Sequence, residues 1–202
     1  MKKLNLFLIT VVIAISATTF AHATTQNNVI TVLSNIGNIN KLEAHGNVEV
    51  LISTGEKDEA VVSNNYYAEN AFIQNVNGVL RISSYKGEKL VVYVTVNDLR
   101  SITAYDNAVV KSEGRLSAIA LDVNLYDSAY AGLNLDNYAT TINVSNQAKA
   151  DLSGNVVDYD VTYGNSSTIN RTNLVAVNAT ENKIAPVFVQ KVSASADELI
   201  GL

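Results

Sequence analysis

The sequence predicts an all-β fold, a right-handed parallel β-helix (β-solenoid) joined to a β-rich N-terminal part. Apolar and polar residues alternate through most of the chain, which is typical of strands with one buried face. Signals for helices are nearly absent. Four segments of the second half share one ordered pattern and follow each other at spacings of 21, 19 and 19 residues. A unit of about 20 residues cannot bury its own apolar face, so successive units must stack.

The N-terminus has the features of a secretory signal peptide over residues 1–23. A pair of lysines precedes the apolar stretch Leu4–Ala17, and Ala21-His22-Ala23 matches the small-x-small cleavage pattern. The mature chain would therefore start at Thr24, with residues 24–38 as an N-terminal extension. We expect an exported protein of the periplasm, outer surface or extracellular space. We expect no transmembrane span in the mature chain, because no later segment reaches the ~20 apolar residues that a span requires.

Charge and cysteine content exclude several classes of function. The chain contains 14 Lys and Arg against 19 Asp and Glu, for a formal net charge of −5. Nucleic acid and anionic lipid are poor partners for such a chain, because both require a basic surface. Cysteine is absent, which excludes disulfides, thiolate metal sites and a cysteine nucleophile. No cofactor is predicted, and no metal site, since neither an EF-hand loop nor a calcium-binding glycine-rich repeat is present.

The first half of the mature chain contains ordinary strands separated by turn pairs such as Asn77-Gly78. The predicted strands are Lys41–Ala44, Val48–Ser53, Ala60–Ser63, Leu80–Ser83 and Leu90–Val96. One short helical turn is predicted over Tyr66–Phe72. Near the end, Pro186 precedes a possible edge strand, Val187–Val192, which together with the N-terminal strands is a candidate to cover the open edges of the fold.

The four repeated segments define columns of equivalent residues. The first column is β-branched: Ile102, Val123, Ile142 and Val161. The second, two residues later, is mostly apolar: Ala104, Leu125, Val144 and Tyr163. The third suits a corner, because Asp and Asn tolerate left-handed dihedral angles: Asp106, Asp127, Asn146 and Asn165. Stacked parallel turns would place each column in one vertical row, so we predict a solenoid over residues 99–180. An antiparallel sandwich is the competing fold.

Three segments carry a resemblance to a known family: Ile39–Val50, Asn77–Ile82 and Val92–Ile102. They resemble the strands of the head GIN domain proteins, exported bacterial proteins also described as autotransporter adhesin heads. The resemblance covers roughly residues 39–178, and we assign residues 39–180 to the domain and residues 181–202 to a C-terminal segment. Asn97 stands where the family usually has proline. The resemblance implies a β-helical fold and an adhesin-like role.

Together these observations predict an exported, non-enzymatic protein of the cell envelope or surface that is adhesin-like or binds glycans. The expected partner is a glycan or another surface protein. Tyrosine offers a flat apolar ring with a polar tip, which suits recognition, and Asp106 and Asp127 occupy the corners beside these rings. The candidate ligand-binding residues are therefore Tyr105, Asp106, Tyr126, Asp127 and Tyr130.

Two alternatives remain open. A polysaccharide-active enzyme could use paired carboxylates, and the pairs available are Asp106 with Asp127 on successive turns and Asp158 with Asp160 on one strand. A purely structural envelope protein would need no ligand at all. We assign no catalytic residue, because the mature chain holds a single histidine, His45, beside a turn and far from any distinctive serine motif.

Overall fold

The computed structural model of the protein describes residues 30–33, 36–63 and 71–184. Three predictions lie outside these residues: the signal peptide of residues 1–23, the helical turn as far as residue 70, and the edge strand Val187–Val192.

The described part of the chain is all-β and contains no helix, so none of its elements could cross a membrane as an apolar helix. Its strands are β1 (Ile30–Leu33), β2 (Lys41–Gly46), β3 (Val48–Thr54), β4 (Glu59–Ser63), β5 (Phe72–Val76), β6 (Val79–Ser84), β7 (Leu90–Val96), β8 (Ser101–Ala104), β9 (Val109–Ser112), β10 (Leu116–Leu125), β11 (Tyr130–Val144), β12 (Lys149–Gly164) and β13 (Thr168–Ile184).

The five strands predicted in the first half are present as β2, β3, β4, β6 and β7. The predicted helical turn was wrong at its last residue, because Phe72 begins strand β5 instead. That strand pairs antiparallel with β6 across the Asn77-Gly78 turn. Here the alternation of Phe72–Val76 decides the structure, since a hairpin pairs its backbone groups and an isolated helical turn leaves most of them unpaired.

All strands belong to one strongly curled sheet, and most neighbours in it are parallel. In the later strands, the parallel ladders make hydrogen-bonded neighbours of residues 19 to 21 positions apart. Leu125 pairs with Ala104 on one side and with Val144 on the other, and Val144 pairs with Tyr163. Residues that the sequence pattern places in one column are therefore in register across successive strands.

Parallel stacking begins earlier in the chain than residue 99, where the sequence pattern placed it. Strands β2 and β3 lie between the later pair β6–β7 and the pair β8–β9. The β-rich N-terminal part thus contributes strands to the same sheet. Antiparallel strands cover this end: β5 pairs with β6, β4 with β7, and β1 with β4. The other end of the described sheet is β13, which pairs with β12.

The curled sheet encloses a single apolar core lined by the inward columns. Its β-branched column, which includes Ile102, Val123 and Ile142, is fully buried. One polar pair is also buried and fully bonded: Asn137 donates to Thr140 Oγ1 at 3.0 Å and accepts a bond from the Ala118 N–H at 2.8 Å. Polar atoms paired in this way cost little free energy to bury. The outward columns of residues lie on the outer surface of the sheet, where a partner can bind.

Candidate functional site

The Asp and Asn corners stack in the predicted row, and their side chains link one turn to the next. Asp106, Asp127 and Asn146 all adopt left-handed backbone angles, with φ of 58°, 58° and 59°. Asp106 accepts the Gly46 N–H at 3.0 Å, and Asp127 accepts the Asp106 N–H at 3.3 Å. The Asn146 amide donates to Asp127 Oδ1 at 3.0 Å. Both carboxylates are therefore engaged in holding the corner together. The fourth predicted corner residue, Asn165, does not have a positive φ.

The aromatic rings beside these corners form a stack. Tyr105 and Tyr126 lie 4.9 Å apart at an interplanar angle of 10°, and His45 continues the stack on Tyr105 at 4.5 Å and 8°. Tyr105 is therefore covered on both faces, and Tyr126 is stacked on one face. Partial burial raises the pKa of Tyr105, and the neighbouring Tyr126 and carboxylates Glu43 and Asp127 add to the shift.

The sequence prediction did not place His45 in this stack and treated it as an isolated turn residue. Lys41–Ala44 pairs in register with Ser101–Ala104, so His45 occupies the position equivalent to Tyr105. Gly46 then stands at the position of Asp106, with φ of 77°. Aligning His45-Gly46-Asn47 with Tyr105-Asp106-Asn107 is the signal that would have revealed the additional turn.

Tyr130 lies apart from the stacked rings, on the far side of the corner. Its hydroxyl donates to Asp151 Oδ2 at 2.7 Å on the next turn. The ring lies close over Gly132, where an added Cβ would come within 3.0 Å of the hydroxyl oxygen. The bond to the Asp151 carboxylate, aided by partial burial, raises the pKa of Tyr130 to about 12. Of the five predicted residues, four are brought together at the corner and Tyr130 is directed elsewhere.

A polar groove of about 380 Å³ lies next to Asp151. Its polar lining spans several successive turns and consists of Ser112, Asn134, Asp151, Ser153, Asn170 and Asn173. Several of these residues are held by bonds to their neighbours: the Asn134 N–H donates to Ser112 Oγ at 2.8 Å, and Ser153 donates to the Leu133 carbonyl at 3.4 Å. Asn170 Oδ1 accepts bonds from Thr172, and Asp151 Oδ2 accepts the Tyr130 hydroxyl. The second oxygen of Asp151 and the side-chain amide of Asn173 can take part in binding.

Sequence analysis missed the groove, although the column that forms it is visible in the sequence. The ladder pairs place Lys111, Gly132, Asp151 and Asn170 in one outward row. Gly132 is the one member without a side chain; the Tyr130 ring lies over it, and Gly132 itself lines the groove. A glycine in an otherwise polar column is a weak signal by itself, and only the register between turns shows that it opens onto Asp151.

The second pair of carboxylates named for catalysis lies on β12. Asp158 accepts a bond from the Asn178 amide at 2.7 Å, while Asp160 is exposed. Tyr159 between them points inward and is only 2% exposed, and burial raises its pKa to about 12. Among the described residues, no group of three or more His, Cys, Asp or Glu side chains is placed to hold a metal ion.

We predict that Asp151→Asn lowers the pKa of Tyr130 from about 12 towards the ordinary value of ~10, because the carboxylate that stabilises the neutral phenol is removed. A raised pKa stabilises the fold fully below pH ~10, and this stabilisation is lost as the pH rises through about 12. Ultraviolet titration of each protein against its Tyr130→Phe counterpart isolates this one phenol. Asp160→Asn, on the same strand, is the control and should leave the titration unchanged. An unchanged midpoint in Asp151→Asn would contradict the assignment.

The fold and the site define the class of protein: an all-β domain whose single curled sheet stacks polar and aromatic columns on its outer surface. The chain belongs to the family described as "Putative auto-transporter adhesin, head GIN domain", whose model matches residues 38–185. The resemblance found in the sequence is thereby confirmed. No curated protein sequence matches the chain.

Two solved structures illustrate the similarity of fold. A "putative adhesin" from Parabacteroides distasonis is 16% identical and has a TM-score of 0.54, over 79% of this chain and 80% of that one. A "putative adhesin" from Bacteroides fragilis is 14% identical with a TM-score of 0.45, over 78% of this chain and 96% of that one. At this identity, the first of these supports the fold alone.

Proposed function

We propose that this protein is an exported, non-enzymatic binding module of the cell envelope or surface, built as a right-handed parallel β-helix, and that it binds a neutral glycan in the groove beside Asp151. The β-helix is supported by the parallel ladders, in which residues 19 to 21 positions apart pair strand after strand. Export is supported by the signal-like features of residues 1–23 and by the adhesin description of the family.

The observation that carries the proposal is the composition of the groove. Neighbouring strands of a sheet are ~4.8 Å apart, so amide, hydroxyl and carboxylate groups recur along the groove at that spacing. Such an array can bond to successive hydroxyl groups of an extended sugar chain. Among the described residues that line the groove, Asp151 is the one charged side chain. A neutral glycan therefore suits it better than an acidic one, which would require basic side chains.

In this proposal, the residues at the corner stabilise the fold and are not the glycan-binding site. Both faces of Tyr105 and one face of Tyr126 are occupied by stacking. One oxygen of Asp106 accepts the Gly46 N–H, and both oxygens of Asp127 accept bonds from the neighbouring corners. These four residues would hold the scaffold, and carboxylates so engaged are poorly placed for catalysis. Tyr130 keeps a role at the site, because its hydroxyl orients Asp151 at the edge of the groove.

A glycan array tests the proposal with the chain from residue 24 onward. Wild-type protein should bind neutral glycans, and the double variant Asp151→Ala/Asn173→Ala should bind at least ~10-fold more weakly, because two groove partners are lost. Asn155→Ala is the matched control, since Asn155 is exposed on the same strand as Asp151 but lies outside the groove.

Each other outcome would decide against part of the proposal. Loss of binding in Tyr126→Ala but not in the groove variant would move the site to the stacked rings. An array without signal above background would remove glycan binding and favour a structural role. If the protein released reducing ends from polysaccharides, and Asp106→Asn abolished this release, the alternative of a polysaccharide-active enzyme would be favoured.

A further inference from the structure

Within residues 30–33, 36–63 and 71–184, no strand pairs with the second edge of β13, the last strand of the sheet. Strand β13 is 17 residues long, and among the described residues it pairs with β12 on one side only. At the opposite end of the sheet, antiparallel strands cover the corresponding edges. A long uncovered edge strand presents a row of unpaired N–H and C=O groups, which is a template for pairing with another strand.

The outward face of β13 is unusually apolar for an exposed surface. Val175 is 64% exposed and Val177 is 73% exposed. The register of the ladders places Val177 in line with two further exposed residues on earlier strands, Ile119 and Tyr138. An exposed apolar stripe that reaches the free edge favours a protein partner that continues the sheet.

The sequence of β13 is complementary to itself when two copies run antiparallel. With Ala176 facing Ala176 of the second copy, Val175 faces Val177, and Arg171 comes opposite Glu181. Both pairs occur twice about the two-fold axis, as an isologous interface requires. Within one copy, Arg171 already pairs with Glu181 across the last turn, so the dimer would bring two such pairs together as a network of alternating charge.

The charge of this end also suits a second copy. The whole chain is acidic, with a formal net charge of −5, but the charged residues of β13 are Arg171, Lys183 and Glu181. Two copies meeting at β13 would therefore bring together the end of the molecule that lacks the acidic excess. We infer that two copies of this chain associate end to end, with β13 paired antiparallel to β13 about Ala176.

Sedimentation or light scattering at high micromolar concentration tests this inference on the chain of residues 24–202. The wild-type protein should have twice the chain mass. Val175→Lys/Val177→Lys places like charges opposite each other at the axis, so the dissociation constant should rise at least ~100-fold. Because both valines are exposed, the variant should fold normally. Ile119→Lys, on the same outward stripe but away from the edge, is the control and should remain dimeric.

A charge exchange tests the register. Arg171→Glu alone and Glu181→Arg alone should each be monomeric, because like charges then face each other. A mixture of the two variants should form heterodimers, since each new charge meets its opposite only on the other copy. A wild-type chain that stays monomeric overturns the inference. This holds whether residues 185–202 or a different partner cover the edge of β13. So does a dimer that survives the two lysines, or variants that fail to combine when mixed.

Discussion

Gly154→Ala should be among the most destabilising single substitutions in this protein, lowering the free energy of unfolding by about 3 kcal/mol or more. Gly154 has a φ of 97°, a backbone conformation that residues with a side chain rarely adopt. An added Cβ would also lie 2.1 Å from the carbonyl oxygen of Leu135 on the preceding turn. Backbone of a neighbouring strand cannot move aside without breaking the ladder, so strain and steric clash act together.

Urea denaturation measures the loss directly, and the melting temperature should fall by roughly 6 to 12 °C for a chain of this size. Gly87→Ala is the matched control. Gly87 lies in an exposed turn, and an added Cβ there would meet no heavy atom within 4 Å. This control should change stability by no more than ~0.5 kcal/mol. If the two substitutions lowered the free energy of unfolding equally, the backbone conformation described at Gly154 would be contradicted.

The later strands of this fold are well predicted from the sequence, because β11, β12 and β13 each pair in parallel with the strand that precedes them along the chain. Like residues then repeat at a nearly constant spacing, and the side chains that must share one environment, such as Val123 and Ile142, are visibly alike. The physical constraint is strong: parallel neighbours in register put equivalent residues in contact, so a column tolerates only residues that suit the same side of the sheet.

The order of the early turns could not be predicted in the same way. Strands β2 and β3 are inserted between β6–β7 and β8–β9, so partners such as Ala44 and Ala104 lie far apart in the sequence. Spacing carries no information about such a pair. Only a match between the corners, His45-Gly46-Asn47 against Tyr105-Asp106-Asn107, points to it, and that match includes a histidine opposite a tyrosine and a glycine opposite an aspartate.

The candidate site was predicted only in part for a related reason. The sequence identifies polar and aromatic columns, but it does not distinguish a side chain that meets solvent from one engaged by the next turn. Asp106 and Tyr105 are engaged in this way. The groove is formed by residues of several strands, from Ser112 to Asn173, with Gly132 among them. No local motif in the sequence marks such a combination.

Substitutions at Asp127 test whether the corner residues stabilise the fold while the groove binds the glycan. Asp127→Ala should lower the free energy of unfolding by about 2 kcal/mol, because alanine is strained at a φ of 58° and the bonds from Asp106 and Asn146 are lost. Asp127→Gly removes the strain but not the loss of bonds, so its effect should be smaller.

Asp127→Asn is the informative member of this series. The chain itself places asparagine at the equivalent position 146 with a φ of 59°, and an amide oxygen can still accept the Asp106 N–H. We therefore expect a loss below ~1 kcal/mol in urea denaturation. If the carboxylate contacted a ligand, Asp127→Asn would keep its stability and lose glycan binding. If it serves the corner, as we propose, glycan binding should remain at the wild-type level while alanine alone weakens the fold.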